Sequence, residues 1–253
     1  MQLFDPIKLA EETEKIVVKN DLRKYYRIFR PGRWYGGIAT SDCCGCCLRC
    51  IFCWSNKPRD HPENFGNFYS PEYIFKKLDA CAKRFRYNQL RISGNEPTIG
   101  KDHFLKLLEL INQTDYSFIL ETSGILIGND IDYVKQLSGF RRLHVRVSIK
   151  GMNRKEFSIL TGASPEAFDL QLNALKNLIE AKVRCHPAVM LSFSPKENYA
   201  KLIKRIKEIE KNLAESIEEE YVFLYPHVVE RLKIAGIVPL IAYSPEGIPS
   251  KLI

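Results

Sequence analysis

The chain has 253 residues, 45% of them hydrophobic and 27% charged, with a formal net charge of +8. Those values exclude a disordered or fibrous protein and fit one undivided globular unit. The positive balance suits an anionic partner, whether RNA, an acidic protein surface or a phosphorylated small molecule, although lysines on a solvated helix face, as in 201–211, account for part of it.

The N-terminal stretch MQLFDPIKLAEETEKIVVKND carries neither the apolar run nor the small-residue cleavage site of a secretory signal, and no later segment reaches the roughly 18 apolar residues of a membrane span. A cytoplasmic location without membrane association is expected. Apolar periodicity predicts an amphipathic helix over 6–20. A basic aromatic lead-in follows, in which Tyr25, Tyr26, Phe29, Trp34 and Tyr35 interleave with Arg23, Lys24, Arg27, Arg30 and Arg33. Such a pattern serves base stacking and backbone contact on RNA. It also serves as an amphipathic cover for the bottom of a barrel, which is the stronger expectation.

A short strand, GIAT, leads into a cysteine loop, and β-rich runs then lie at 88–93, 116–122, 143–149, 183–191 and 221–225. Helical periods occupy Pro71–Phe85, Lys101–Asn112, Pro165–Lys182 and Lys196–Leu213, with Leu202, Ile203, Ile206, Ile209 and Leu213 as the packing stripe of the last. Parallel strands need long crossovers, so this rhythm predicts βαβ units and an α/β fold on six parallel strands, open or partly closed into a barrel. Loops after the strand C-termini would gather the cysteine loop, GNEPT, TSG, KGMN and SFSP at one end. The expected organisation is an N-terminal helix and lead-in over 1–35, then the α/β domain over 36–253.

Six of the eight cysteines fall between Cys43 and Cys53, too dense for a disulfide framework and suited to metal binding in a reducing compartment. Cys81 and Cys185 sit in apolar-periodic stretches and read as core thiols. The loop SDCCGCCLRCIFCWSN holds two overlapping C-x3-C-x2-C triplets, Cys43/Cys47/Cys50 and Cys46/Cys50/Cys53. Gly45 before the second triplet permits a tight turn, and Phe52 before its last cysteine can shield a cluster or stack on a purine. These neighbours favour Cys46, Cys50 and Cys53 as ligands of an iron–sulfur cluster with one iron left free of protein. Adding Cys43 would instead close a zinc site or an electron-carrying cluster on four thiolates. The short spacing opposes a zinc ribbon, while the closed cluster stays open as an alternative.

GCCLRCIFCWSN resembles the signature loop of radical S-adenosylmethionine (SAM) enzymes, particularly the activating-enzyme type represented by pyruvate formate-lyase activating enzyme. Ser93-Gly94-Asn95-Glu96-Pro97 is similar to that family's Gly-Gly-Glu-Pro motif, which receives the methionine amino group. Glu121-Thr122-Ser123-Gly124 stands where the family has Thr-Asn-Gly, and Ser148-Ile149-Lys150-Gly151-Met152-Asn153 resembles its Asp-Leu-Lys segment. The resemblance spans 36–225. It implies a partial (β/α)6 barrel of TIM type with the cluster loop after its first strand, and a [4Fe–4S] cluster and SAM as cofactors.

The resemblance also implies a reaction. One electron from a reduced flavodoxin or ferredoxin-like donor passes through the cluster and cleaves SAM to methionine and a 5′-deoxyadenosyl radical, which takes hydrogen from a substrate. On this resemblance Phe52, Gly94, Asn95, Glu96, Pro97, Thr122, Ser148 and Lys150 bind SAM. Glu96 would meet the ammonium, Lys150 a carboxylate of SAM or substrate, and Ser148 a ribose hydroxyl. Asn95 in place of glycine, Ser148 in place of aspartate, and Trp54-Ser55-Asn56 after the loop depart from the activase pattern, so a glycyl-radical enzyme does not carry over directly as substrate. Three function classes follow: a radical enzyme acting on a protein or small molecule, a radical enzyme modifying RNA (tRNA), and a non-catalytic electron-transfer protein. His186 and His227 are expected at strand ends near the mouth, as structural histidines.

Overall fold

In the computed structural model, which describes residues 3–249, Asp5 caps the first helix, α1 (Pro6–Val17). Its carboxylate accepts from the Ile7 amide at 2.8 Å, and Pro6 supplies the fixed φ of a first helical turn. The helix stops at Val17 because Val18 is already extended, forming β1 (Val18–Lys19). Asn20, with a left-handed φ of 57°, turns the chain into β2 (Leu22–Gly32).

β2 corrects the expectation for the lead-in. Its burial alternates along its second half, with Arg27, Phe29 and Pro31 facing outward, and it pairs antiparallel with β3 (Ile38–Cys43). It thus extends the sheet sideways and does not cover a barrel bottom. Nor does it present one continuous basic aromatic face, since Arg23, Lys24 and Tyr25 are buried. Arg23 Nε instead donates to the Ile99 carbonyl at 2.9 Å and braces the turn that follows the second parallel strand.

After the cysteine loop come α2 (Asn56–Asp60), β4 (Asn67–Tyr69), which pairs with β2, and α3 (Pro71–Phe85). The strand-then-helix rhythm continues through β5 (Gln89–Ser93), α4 (Lys101–Asn112), β6 (Ser117–Thr122), α5 (Ile125–Asn129), α6 (Ile131–Leu137), β7 (Leu143–Ile149), α7 (Arg154–Thr161), α8 (Phe168–Glu180), β8 (Cys185–Met190), α9 (Lys196–Ile209), α10 (Lys211–Glu215) and β9 (Glu218–Glu220). β10 (Val222–Phe223), α11 (Pro226–Ile234) and β11 (Ala242–Tyr243) complete it, β10 and β11 pairing parallel as a small second sheet.

β3, β5, β6, β7, β8 and β9 pair parallel in chain order. No pairing joins β9 back to β3 among the described residues, so the barrel is partial, as the motif resemblance implied. Leu90, Ile92, Phe118, Leu120, Val145, Val147 and Val189 from the strands pack with Leu78, Leu107 and Leu175 from the helices, all shut off from solvent. Burying each such side chain contributes about 1.5–3 kcal/mol. This continuous core holds the strand ends, and therefore the loops GNEPT, TSG, KGMN and SFSP, at one rim.

The sixth parallel strand lies at Glu218–Glu220 and not at 221–225. Three glutamates have poor β-propensity, but Arg146 and Lys150 meet Glu218 and Glu220 from β7 and its following turn, so tertiary pairing overrides local preference. The helix expected over Pro165–Lys182 opens with a 3-10 turn at Pro165–Ala167 and ends at Glu180, and the last long helical period breaks at Glu210. No helix of the described residues is long and apolar enough to cross a membrane.

Candidate active site

β3 delivers the chain to the cysteine loop, and backbone bonds pin that loop on several sides. The Cys44 amide donates to the Lys24 carbonyl at 3.0 Å, the Arg49 amide to Thr161 at 3.0 Å, and the Ile51 amide to Leu160 at 2.8 Å. Gly45 turns with φ +82°, and a Cβ there would lie 2.5 Å from Cγ2 of Thr13 on α1, so only glycine fits between loop and helix. The result sorts the six cysteines. Cys46, Cys50 and Cys53 line a cleft of about 400 Å³ at the rim of the barrel, whereas Cys43, Cys44 and Cys47 do not.

The three other thiols face protein. Cys44 Sγ donates to the Phe65 carbonyl at 3.5 Å, Cys47 Sγ lies 3.7 Å from Ser123 Oγ, and Cys43 closes β3 in the core. The Cys47 sulfur, the Cys46 sulfur and a Glu96 oxygen come within 4.8 Å of one another, but Cys47 sits behind the cleft wall. Burial pushes the Cys50 thiol up to about 12 against the pull of Lys150, and raises Cys53 against Arg59. A hydrogen bond with Cys47 lowers Cys46. A donor set of three sulfurs on one short, shielded loop fits a cubane cluster with one iron open, because iron can replace the protons that burial holds on Cys50 and Cys53. Cys81 and Cys185 stay outside the cleft as core thiols.

The turn after β5 supplies the opposite wall. Gly94 has φ +91°, and a Cβ there would lie 2.9 Å from both Asp42 Cβ and the Tyr26 hydroxyl. Asn95 Nδ2 donates to the Cys43 carbonyl at 3.0 Å, while its Oδ1 is buried without a hydrogen-bond partner. Such an orphaned acceptor beside the thiols fits an ammonium donor from a ligand. Glu96 lines the cleft as well, and it arrives with partners. Its carboxylate accepts from Thr98 Oγ1 at 2.7 Å, Thr122 Oγ1 at 2.7 Å, and the Ser123 amide and hydroxyl at 2.9 and 2.6 Å. It ties the β5 turn to the β6 turn with both oxygens engaged, and Pro97 is buried behind it, outside the cleft lining.

Ser148 and Lys150 both reach the cleft but arrive with partners. Ser148 Oγ accepts from Arg146 at 2.8 Å; Lys150 Nζ donates to Glu220 at 2.9 Å and lies 5.8 Å over the Phe52 ring. Phe52 packs against Phe193 with centroids 5.4 Å apart, shielding the loop from the β8 side. Below them lies a charged floor that no motif announced. Arg146 forks onto Glu218 at 2.7 and 3.0 Å, and Arg91 donates to Glu121 at 2.6 Å. Tyr35 Oη also donates to Glu121, at 3.3 Å. Burial opposes the charge on Glu218, but the His186 bond and Arg146 overcome it and hold its carboxyl at about 2. The only advance signal was the alternation of charge with apolar residues in LHVRVSI, which reads equally as strand filler.

The histidines correct a further expectation. His186 is the second residue of β8 and so sits at its N-terminal end, away from the mouth, bonded to His144 at 2.6 Å and Glu218 at 2.9 Å. His227 lies on α11 and not at a strand end; it contacts the Trp54 carbonyl at 2.9 Å. Two arginines complete the surroundings of the cysteine loop: Arg59 Nη1 donates to the Cys50 carbonyl at 2.5 Å, and Arg231 Nη2 donates to the Cys53 carbonyl.

Residues 41–209 match the Radical SAM superfamily. Among curated relatives, a probable GTP 3′,8-cyclase of Saccharolobus islandicus is 28% identical over 140 residues, 53% of this chain and 41% of that protein. Another of Methanococcus vannielii is 30% identical over 121 residues, 48% of this chain and 38% of that protein. The chain thus matches well under half the length of these relatives. SuiB of Streptococcus suis, solved bound to SAM, superposes with a TM-score of 0.58 at 18% identity, covering 72% of this chain and 39% of that one. Spore photoproduct lyase, solved with bound SAM and a dinucleoside photoproduct, gives 0.56 at 15% identity over 76% of this chain and 58% of that one, a likeness of fold. With the family matched over most of its length and three cysteines converging on the cleft, the chain belongs to the radical SAM superfamily, whose cofactors are a [4Fe–4S] cluster and SAM.

Proposed function

We propose that this chain cleaves SAM reductively and uses the resulting radical to abstract hydrogen from a substrate, with Cys46, Cys50 and Cys53 as the cluster ligands. The observation that carries the reading is the sorting of six cysteines into three that line the cleft and three that do not. Bound there, the cluster and SAM would supply one-electron cleavage to methionine and a 5′-deoxyadenosyl radical.

The chain's own residues would do the rest. Asn95 Oδ1 accepts from the methionine ammonium, and Glu96 holds the β5 and β6 turns at a fixed separation rather than touching the ligand. Phe52 excludes water from the loop, while Ser148 and Lys150 offer a hydroxyl and an ammonium to the ribose and a carboxylate. A reduced flavodoxin or ferredoxin-like protein supplies the electron, in the cytoplasm, where reduced thiols persist. The partial barrel over 36–253 is the working unit, and 1–35 is an extension that adds its strand to it.

A protein, including one of glycyl-radical type, or a small molecule suits the cleft better than RNA. Of the cations lining the cleft, Arg30, Arg59, Arg91, Arg146 and Lys150 are already paired with carboxylates, which leaves Arg27, 4.0 Å from an Asp42 that Arg30 holds more closely, as the one available to a phosphate backbone among the described residues. A closed electron-carrying cluster is disfavoured because Cys43 lies outside the cleft. The test is anaerobic reconstitution followed by reduction in the presence of SAM. Release of 5′-deoxyadenosine is expected from the native chain; its absence from a protein carrying a full complement of iron and sulfide would reject the proposal.

A further inference from the structure

Two guanidiniums press on the carbonyls of the ligand loop, and they differ in how their charge is met. Arg59, on α2, donates to the Cys50 carbonyl at 2.5 Å, and its remaining nitrogens fork onto Asp60, each at 2.8 Å. Its charge is cancelled where it stands. Arg231 arrives from α11, 178 residues beyond Cys53 in the chain. Its Nη2 donates to the Cys53 carbonyl and its Nε to the carbonyl of His227 at 3.1 Å, both neutral acceptors. Its Nη1 is buried with no hydrogen-bond partner, and no carboxylate forms an ion pair with it among the described residues.

Arg231 as a whole is half-buried, but a guanidinium whose Nη1 is shut off from both water and partners is costly unless an anion compensates it. The ionisable groups facing it are Cys53, Cys50 and Asp60, with Arg59 as the opposing cation. Asp60 is already engaged by Arg59 and by Arg49 at 3.3 Å. What remains is the sulfur side of the loop. His227, on the same helix, binds the Trp54 carbonyl at 2.9 Å, so α11 is fastened to the loop at two successive residues and Arg231 cannot swing away freely.

Building on the cluster assignment above, we infer that Arg231 is a positioning residue that raises the reduction potential of the cluster. A cubane on three thiolates is anionic when oxidised and more so after one electron enters, so an uncompensated cation beside it stabilises the reduced form more. The step is a single electron transfer: the donor is oxidised, the cluster reduced, and no bond in Arg231 forms or breaks. Arg59, neutralised by Asp60, shapes the loop with little effect on the potential.

The experiment uses the full chain, reconstituted anaerobically, in native form and as Arg231→Gln, Arg231→Lys, Asp60→Asn and the exposed-cation control Lys233→Gln. Iron and sulfide are counted first, and the reduced fraction is then followed by electron paramagnetic resonance against mediators of known potential. In R231Q the ratio of reduced to oxidised cluster at fixed poise is expected to fall at least threefold, a shift of about 28 mV to more negative potential at 59 mV per tenfold. R231K and K233Q should stay within that span. D60N, which frees the charge of Arg59, should move the opposite way. A fully loaded R231Q that titrates with the native protein overturns the inference, and if R231Q does not load, an unmoved D60N does so. Failure of the cluster assignment looks different: Cys53→Ala would keep its iron.

Discussion

The indole of Trp34 stacks on the ring of Phe223, with centroids 6.0 Å apart and planes 25° from parallel. Trp34 belongs to the turn between β2 and β3, and Phe223 to β10 just past β9, so the contact spans the two strands that backbone pairing leaves unjoined. Beside it Tyr35 holds a strained φ of 56° and reaches Glu121 on the barrel floor. Side chains thus close the gap between the first and last parallel strands.

If that closure bears on stability, Trp34→Ala should lower the unfolding free energy by about 1–2 kcal/mol, the aromatic pair plus its share of buried area. Urea titration checks it. An unmoved midpoint with unchanged slope would mean that the stack contributes nothing.

The cleft sorts the cysteines, and iron content should sort them the same way. Alanine at Cys46, Cys50 or Cys53 is expected to abolish cluster assembly, because each removes one of the three sulfurs that share the cleft. Alanine at Cys43, Cys44 or Cys47 should leave iron and sulfide near the native count. Loss of iron in Cys43→Ala alone of those three would restore the closed four-thiolate arrangement.

Asn95 and Glu96 are neighbours with separable roles. Asn95→Ala removes the free acceptor and should weaken SAM binding roughly tenfold, about 1.4 kcal/mol, while the lost bond to the Cys43 carbonyl costs about 1 kcal/mol of stability. Glu96→Gln puts an amide NH2 where Thr122 and Ser123 donate, so it should cost about 2–4 kcal/mol of stability. Equilibrium dialysis with labelled SAM and urea unfolding separate the two. A stable E96Q that has lost SAM would return Glu96 to the ammonium.

Acid should erode stability in two overlapping windows. Burial, aided by His186, lowers the His144 imidazole from 6.5 to about 4, so the native state resists its protonation and loses stability as pH falls through that interval. Glu218 is depressed from 4.5 to about 2 by His186 and Arg146 acting against burial; its contribution is full above about 4.5 and is lost as pH falls through about 2. Urea midpoints measured down to about pH 3 should therefore fall more steeply in the native protein than in Glu218→Gln. Parallel acid profiles would remove Glu218 from the account.

Much of this is legible in the amino-acid sequence. The 3.6 and 2.0 periodicities that mark helices and strands are local, and they located all but one of the parallel strands within a few residues. The spacing of cysteines is local too, and Gly45 and Phe52 singled out the triplet whose sulfurs share the cleft. The prolines, glycines and polar turns after each strand likewise gathered at one rim because a parallel sheet leaves them nowhere else to go.

Only the tertiary structure decided the rest. That β2 runs antiparallel beside β3, that three glutamates make the sixth strand, that Glu96 belongs to Thr122 and Ser123, and that Arg231 meets Cys53 all depend on contacts between residues far apart in the chain. A charged residue carries no local mark of its eventual partner, since its state is fixed by whatever the closing sheet brings against it. Periodicity therefore determined the scaffold and the cysteine loop, and tertiary contacts determined which polar groups were left unpaired.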